Sequence, residues 1–452
     1  MAQLWFESAR LSDGWAERVR LTLDGGMIGS VEAGVDPGPD DERHPLAMPG
    51  LGNLHSHAFQ RGMAGLAEAR GATEDGFWTW REVMYGFLQR MTPDDMEALA
   101  ALAYVEMLEG GFTRVGEFHY VHHAPDGAAY DNPAEMAERV AAAAETAGIG
   151  LTLLPVFYAH SDFGGAAPTE GQRRFLNTPS GFERLFEDAR RAASAMDGSV
   201  VGVAAHSLRA VTPDELQSVT AMAGGGPIHI HVAEQRREVE ACLAWSGQRP
   251  VEWLLNHAGV DARWCLVHAT HVTQAELVGV AASGAVVGLC PITEANLGDG
   301  VFPAVAYSAE GGRWGVGSDS NVLIDAAEEL RMLEYSQRLT GQSRNTLATA
   351  PGESSGAILR LAATGGAARA LGAGGRGLAE GERADIVTLD TSLPAFLGRN
   401  GDRILDSWIF AAGARAIDCV WVGGAKVVSA GRHHARDRVA KRYAIALARL
   451  LD

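Results

Sequence analysis

The chain has 452 residues, 47% apolar and 21% charged, an ordinary globular composition with length enough for one large domain and a smaller companion. Its formal net charge of -18 argues against nucleic-acid and anionic-membrane partners, so an anionic small molecule would have to be held by a local arginine cluster. The start of the chain shows no secretory pattern, no run is long and apolar enough to span a bilayer, and Cys242, Cys265, Cys290 and Cys419 form no CxxC pair, so a cytoplasmic protein without a disulfide framework is expected.

In chain order, Leu4–Val31 carries short alternating runs with turns at Asp13-Gly14 and Asp24-Gly25-Gly26. Eight near-continuous apolar strands then follow at Ala47–His57, Phe112–His119, Gly150–Tyr158, Val200–His206, Ile228–Ala233, Cys265–Ala269, Ala285–Cys290 and Trp314–Asp319. Between them lie helical stretches at Pro93–Glu109, Pro133–Ala147, Gly181–Ala195, Pro213–Ala223, Pro250–His257 and Glu328–Arg338. Thr92-Pro93-Asp94 and Thr212-Pro213-Asp214 place a capping hydroxyl before a proline at the first helical position. Strands alternating with helices in this way predict an α/β fold, a parallel sheet closed as a (β/α)₈ TIM barrel. Ala384–Asp390 and Cys419–Gly424 return to the style of the N-terminus. Both ends are therefore expected to build one small, sandwich-like β-domain from residues 1–46 and 378–432, around a barrel at 47–377, with a closing helix in 433–452.

Chemistry-bearing residues recur at the strand ends. His55-Ser56-His57 puts two imidazoles on one face of the first strand. His231 ends the fifth strand with Glu234 three residues on, His268 ends the sixth, and Asp319 ends the eighth. Polar residues closing apolar strands at a single barrel face are poorly explained by packing. Three histidines and a carboxylate suit Zn²⁺ with a position left for water, another divalent metal such as Fe²⁺ being the alternative. His229 reads as a buried supporting histidine, Cys290 as a core thiol, and His119, His122 and His123 are left out because four strand ends already fill the site. Gly372-x-Gly374-x-x-Gly377 follows an alanine-rich helix, not a strand, and reads as a turn. There is no HExxH, and no HxE paired with PCxxC.

The arrangement resembles the amidohydrolase superfamily, which pairs its barrel with a small β-domain from both termini. Binuclear members bridge two metals with a carbamylated lysine inside the barrel, whereas the only lysines here are Lys426 and Lys441. One metal per chain is expected, of the deaminase type that His231-x-x-Glu234 fits. Asn53–Leu66, Glu117–His123, Thr293–Gly300 and Glu328–Arg331 resemble the formimidoylglutamate deiminases more narrowly. That resemblance implies a hydrolase of non-peptide carbon–nitrogen bonds in linear amidines, acting in histidine degradation. It implies His55, His57, His231 and Asp319 as metal ligands, with Glu234, His268 and Asp319 as catalytic groups. It further implies Gln60, Arg81, Tyr120, His206 and Arg209 as substrate-binding residues and a homodimeric assembly. The substrate partner would be a small dicarboxylate carrying a formimino group, and paired arginines suit its carboxylates. Trp78 and Trp80 read as lid packing rather than a cation cage, and Asn321 carries little weight.

Two other readings stand beside this one. A deaminase of a purine, pyrimidine or related ring would favour an aromatic sandwich and need no arginine pair. A non-catalytic binding protein on a degenerate barrel would have lost ligand positions, and none is missing here.

Overall fold

A computed structural model describes residues 2–71, 75–375 and 377–452. Eight parallel strands run in chain order around the barrel: β1 (Leu51–Ser56), β2 (Phe112–His119), β3 (Gly150–Phe157), β4 (Val203–Ser207), β5 (Ile228–Val232), β6 (Trp264–His268), β7 (Val286–Leu289) and β8 (Arg313–Val316). The two-residue strand Val200–Val201 pairs with β3 beside them. β2, β3, β5, β6 and β7 are buried at every residue, which is why they read as continuous apolar runs instead of alternating ones.

Closure between β8 and β1 is made at the mouth. Asp319 donates its backbone N–H to His55 O at 3.0 Å, and His57 donates to Asp319 O at 2.9 Å. Gly317 permits that approach, since a Cβ there would meet the His55 backbone at 2.7 Å. The bonds that seal the barrel thus join three of the expected metal ligands.

Both termini build one mixed eight-stranded sheet. Its order is Arg432–His433, Ala425–Ser429, Ile417–Val422, Ile386–Leu389, Glu42–Pro49, Ala2–Leu11, Gly14–Asp24 and Met27–Glu32. Glu42–Pro49 is the seam, parallel to Ala2–Leu11 and antiparallel to Ile386–Leu389. The strand expected at Ala47–His57 is consequently two elements. Its first part belongs to the terminal sheet and β1 to the barrel, broken at Gly50, whose N–H donates to Asp385 O and where a Cβ would sit 2.1 Å from the Thr113 hydroxyl.

The helices largely follow the capping signals. Thr92 and Thr212 cap Pro93–Glu109 and Pro213–Met222, each exchanging bonds with the acidic residue three positions on. The closing helix runs from Arg436 to Leu451. Gly372, Gly374 and Gly377 follow helix Ser355–Ala370 with φ of 60°, 67° and 86°, the turn geometry expected of them. Among the described residues no helix is long and apolar enough to cross a membrane.

Candidate active site

Residues from the ends of β1, β5 and β8 meet at one point. His55 Nε2 lies 3.2 Å from His57 Nε2, 3.0 Å from His231 Nε2 and 3.4 Å from Asp319 Oδ1. His57 Nε2 is also 3.4 Å from Asp319 Oδ1, and all four residues are buried. The far sides of two rings reveal their tautomers. His57 Nδ1 lies 3.0 Å from Phe118 O and His231 Nδ1 2.9 Å from His206 O, so each Nδ1 carries the proton and each Nε2 presents a lone pair inward. A proton on His55 Nε2 could serve only one of the three acceptors that face it. The remaining lone pairs would repel at these distances without a positive charge among them. The donor set therefore fits a cation, and three imidazoles with one carboxylate are the ligands of a tetrahedral zinc site with an open position.

The protonation balance agrees. Burial pushes His55 down to about 3 despite its contact with Asp319, and burial likewise lowers His57 and His231. Burial opposes ionisation of Asp319, but His55, His268 and His57 outweigh it and hold the carboxyl well below the usual range. Neutral imidazoles and an ionised carboxylate are the states that bind metal.

Two further groups face this cluster. His268 Nε2 stands 3.8 Å from both Glu234 Oε1 and Asp319 Oδ2, while its Nδ1 lies 3.3 Å from Glu294 Oε1. Burial works against its charge, yet Glu234, Glu294 and Asp319 raise it to about 10. Burial pushes Glu234 up to about 7, against the pull of His268 and with the help of Asp319 and Glu238. A carboxyl poised near neutrality can both accept and donate a proton.

The backbone here is strained in a consistent way. Ala233, His268, Ala269, Asp319 and Asn321 have φ of 52°, 67°, 47°, 41° and 56°, the left-handed region that residues with a Cβ avoid. Each such residue costs about 1–3 kcal/mol and persists where its surroundings over-determine it. Glu238 supplies part of that support by accepting the Ala233 and Glu234 N–H groups at 3.1 and 3.2 Å. Asn321 supplies more. Fully buried, its side-chain amide donates to Ser56 Oγ, His57 O and Asp319 O, and its oxygen accepts from Ser318 Oγ. The small weight given to Asn321 on sequence grounds is corrected: it ties the eighth strand end to the first.

Above the cluster opens a cavity lined by His57, His231, Glu234, His268 and Asp319 on one side. Gln60, Arg81, Tyr120, His206 and Arg209 line it as well, so all five residues carried over as substrate-binding converge there. Gln60 Nε2 donates to the Tyr120 hydroxyl at 3.0 Å, and its buried Oε1 has no partner. Arg209 is 4% exposed, and neither it nor Arg81 has a hydrogen bond or ion pair among the described residues; the Nε of each is buried and unpartnered.

Met84, Tyr85, Tyr158 and Phe175 also line the wall, and nothing in the sequence pattern marked them. Glu238, Glu294 and Asp299 were also missed. Each is buried within one or two contacts of Glu234 or His268; Glu294 and Asp299 lie in the motif Thr293–Gly300 without having been given a role, and for Glu238 only its acidic type in apolar surroundings could have drawn notice. Trp80 lines the cavity, whereas the ring of Trp78 carries the guanidiniums of Arg81 and Arg237 at 4.5 Å each and Arg209 at 5.7 Å, a cation cage where lid packing was expected. His229 is buried with Nε2 2.7 Å from Ala370 O, a supporting residue away from the cluster, and Cys290 is a buried free thiol.

Residues 46–427 match the family model described as "Amidohydrolase family", and residues 1–45 match "Formimidoylglutamate deiminase HutF, N-terminal domain". The formimidoylglutamate deiminase of Pseudomonas aeruginosa is 47% identical, over 100% of both chains. The chain belongs to the formimidoylglutamate deiminase family of amidohydrolases. Within the wider amidohydrolases, the 8-oxoguanine deaminase of Pseudomonas aeruginosa is 28% identical over 89% of this chain and 87% of its own. Among solved structures, an amidohydrolase from Brucella melitensis superposes with a TM-score of 0.97 at 56% identity, covering 100% of both chains. A zinc-bound adenosine deaminase from Xanthomonas campestris shares the fold, with a TM-score of 0.83 at 22% identity over 100% of this chain and 98% of that one.

Proposed function

We propose that the chain hydrolyses N-formimino-L-glutamate to N-formyl-L-glutamate and ammonia, using one Zn²⁺ per chain held by His55, His57, His231 and Asp319. The observation that carries this reading is the pair of arginines without acidic partners. Arg209, almost wholly buried, and Arg81 share one cavity with Glu234 and the ligand cluster. Glu238, Glu234 and Asp162 favour the charge of buried Arg209 from a distance, but its guanidinium and that of half-buried Arg81 have no direct hydrogen-bond partner among the described residues and are free to take an anion supplied from outside. A substrate with two carboxylates supplies two, each matched to a planar guanidinium.

A divalent metal bound to the four ligands supplies Lewis acidity that makes water nucleophilic near neutral pH. Glu234 takes a proton from the attacking water as its oxygen bonds to the formimino carbon, and delivers it to the nitrogen that departs. The second proton of the water, left on the hydroxyl of the adduct, passes through Asp319 or Glu234 to the same nitrogen as the carbon–nitrogen bond breaks, so that ammonia leaves and the carbon retains a formyl oxygen. His268, oriented by Glu294 through Nδ1, turns Nε2 toward the reacting oxygen and stabilises its developing charge. Asp319 is a second acceptor for the proton of the water. Arg81 and Arg209 hold the carboxylates, while Gln60, Tyr120 and His206 orient the chain between them. Tyr85, Tyr158 and Phe175 keep that space apolar and exclude bulk water.

Ammonia release and formation of N-formyl-L-glutamate by purified, zinc-loaded protein test the reading. Release from 8-oxoguanine or adenosine but not from N-formimino-L-glutamate would replace it with a ring deaminase. Elemental analysis should return one tightly held metal per active chain, and two would overturn the mononuclear assignment.

A further inference from the structure

Trp78 sits in the first turn of helix Phe77–Leu88, between Phe77 and the cavity-lining Trp80 and Arg81. Its three guanidinium neighbours come from three elements. Arg81 lies on the same helix, Arg209 on the segment after β4, and Arg237 on the first turn of helix Arg236–Ser246 after β5. Among the described residues none of the three donates a hydrogen bond or forms an ion pair, whereas exposed arginines elsewhere do, as Arg190 with Glu187 and Arg432 with Asp437. Their exposure is graded from outside to inside: Arg237 is exposed, Arg81 half-buried, and Arg209 4% exposed.

Three like charges around one ring repel, and a chain at -18 has acidic residues in excess with which to neutralise them. Glu238, Glu234 and Asp162 favour the charge of Arg209 from a distance, yet among the described residues no carboxylate pairs directly with any of the three. Stacking on an aromatic ring engages the face of a guanidinium and leaves its N–H edge free for a carboxylate. The substrate class has two carboxylates and the stack has three cations, so one arginine is surplus to the bound state. The surplus one is the exposed one.

We propose that Trp78 is the positioning residue of a three-arginine carboxylate path, in which Arg237 meets the dianionic substrate at the surface and passes it to Arg81 and Arg209. This rests on the dicarboxylate reading above. The unlike sign of the path and the rest of the chain confines attraction to the mouth, where field lines entering a low-dielectric cleft are focused.

Kinetics with N-formimino-L-glutamate and with N-methylformamidine, which lacks both carboxylates, test the path. Trp78→Leu should raise KM for the dicarboxylate about tenfold, the loss falling on KM and not on kcat, with Trp78→Phe restoring most of it because a ring remains. Arg237→Gln should lower kcat/KM about three- to tenfold at low ionic strength, the difference closing toward roughly 0.5 M salt as screening removes the attraction. N-methylformamidine should register neither substitution. Equal losses of kcat on both substrates in Trp78→Leu, or a wild-type kcat/KM for Arg237→Gln at low salt, would overturn the path. Should the wild-type protein release no ammonia from N-formimino-L-glutamate, the substrate reading fails separately. Calorimetric binding of glutarate then decides: weakened affinity in both variants keeps the path, and unchanged affinity ends it.

Discussion

At the barrel mouth, five non-glycine residues hold φ between 41° and 67°, and His55 Nδ1, Gln60 Oε1, Arg81 Nε and Arg209 Nε are buried without partners. In the terminal sheet, positive φ falls mostly on turn glycines such as Gly25, Gly26, Gly423 and Gly424, with Arg18 and Ala430 beside them. Its buried charge is answered locally: Asp41 accepts from Arg20 Nε at 3.0 Å and from Gly38 N at 2.7 Å. No side-chain atom in the described strands of that sheet is both buried and unpartnered. An unanswered buried polar group costs about 1–3 kcal/mol, as does a strained φ. The sheet incurs few of these costs and the mouth accumulates them, with a core of large buried side chains such as Trp264, Phe157 and Phe118 to sustain it. Stability is concentrated where nothing has to bind, and strain and unmet hydrogen bonds where something must.

Substitutions at the mouth should therefore cost activity, and those in the sheet stability. The largest effect is expected at Glu234. Glu234→Gln keeps the volume and the metal but cannot move a proton, so kcat should fall about 10²–10⁴-fold with zinc content unchanged. Near-normal turnover in steady-state assays would remove Glu234 from the chemistry and leave the strain around it without a purpose.

Next comes the carboxylate end. Arg209→Lys keeps the charge and loses the planar fork, and charge-assisted bonds worth about 1.5–3 kcal/mol correspond to roughly a ten- to hundred-fold loss in kcat/KM. A substrate without carboxylates should be far less affected. If both substrates lost equally, Arg209 would belong with the packing residues and the contrast between the regions would blur.

A smaller effect follows from pH. Glu234 must be ionised to take a proton from water, and burial places its titration near 7. kcat/KM should then fall by about a decade per pH unit as the pH drops below that value and level off above it. A profile flat from pH 6 to pH 8 would mean that the metal site and its neighbours ionise Glu234 at lower pH.

The smallest effect on turnover is expected in the terminal sheet. Phe6 is fully buried there, and Phe6→Ala should cost about 3–5 kcal/mol in denaturant unfolding while kcat stays within about twofold. A large loss of kcat with the fold intact would show that the sheet sets the geometry of the mouth.

The sequence alone determined the elements whose signal is local. Continuous apolar strands between capped helices specified the barrel. Histidines and a carboxylate at the ends of β1, β5 and β8 pointed to the cluster the structure brings together, because strand periodicity and the closed parallel topology put strand ends together whatever the intervening segments do. The missing barrel lysine argued by composition against a lysine-bridged pair of metals. Even the misjoined strand at Ala47–His57 was apolar throughout; only the close approach of Thr113 and Asp385 reveals the break at Gly50. What tertiary structure decided lies on segments whose course has no period. Asn321 binds β1 from 264 and 265 residues away, and Arg237 reaches the ring of Trp78 from another strand's helix. Tyr158 and Phe175 join the pocket wall from the end of β3 and beyond it. Such contacts depend on how loops and helices cross above the barrel, and that crossing is set by the packing of the whole domain.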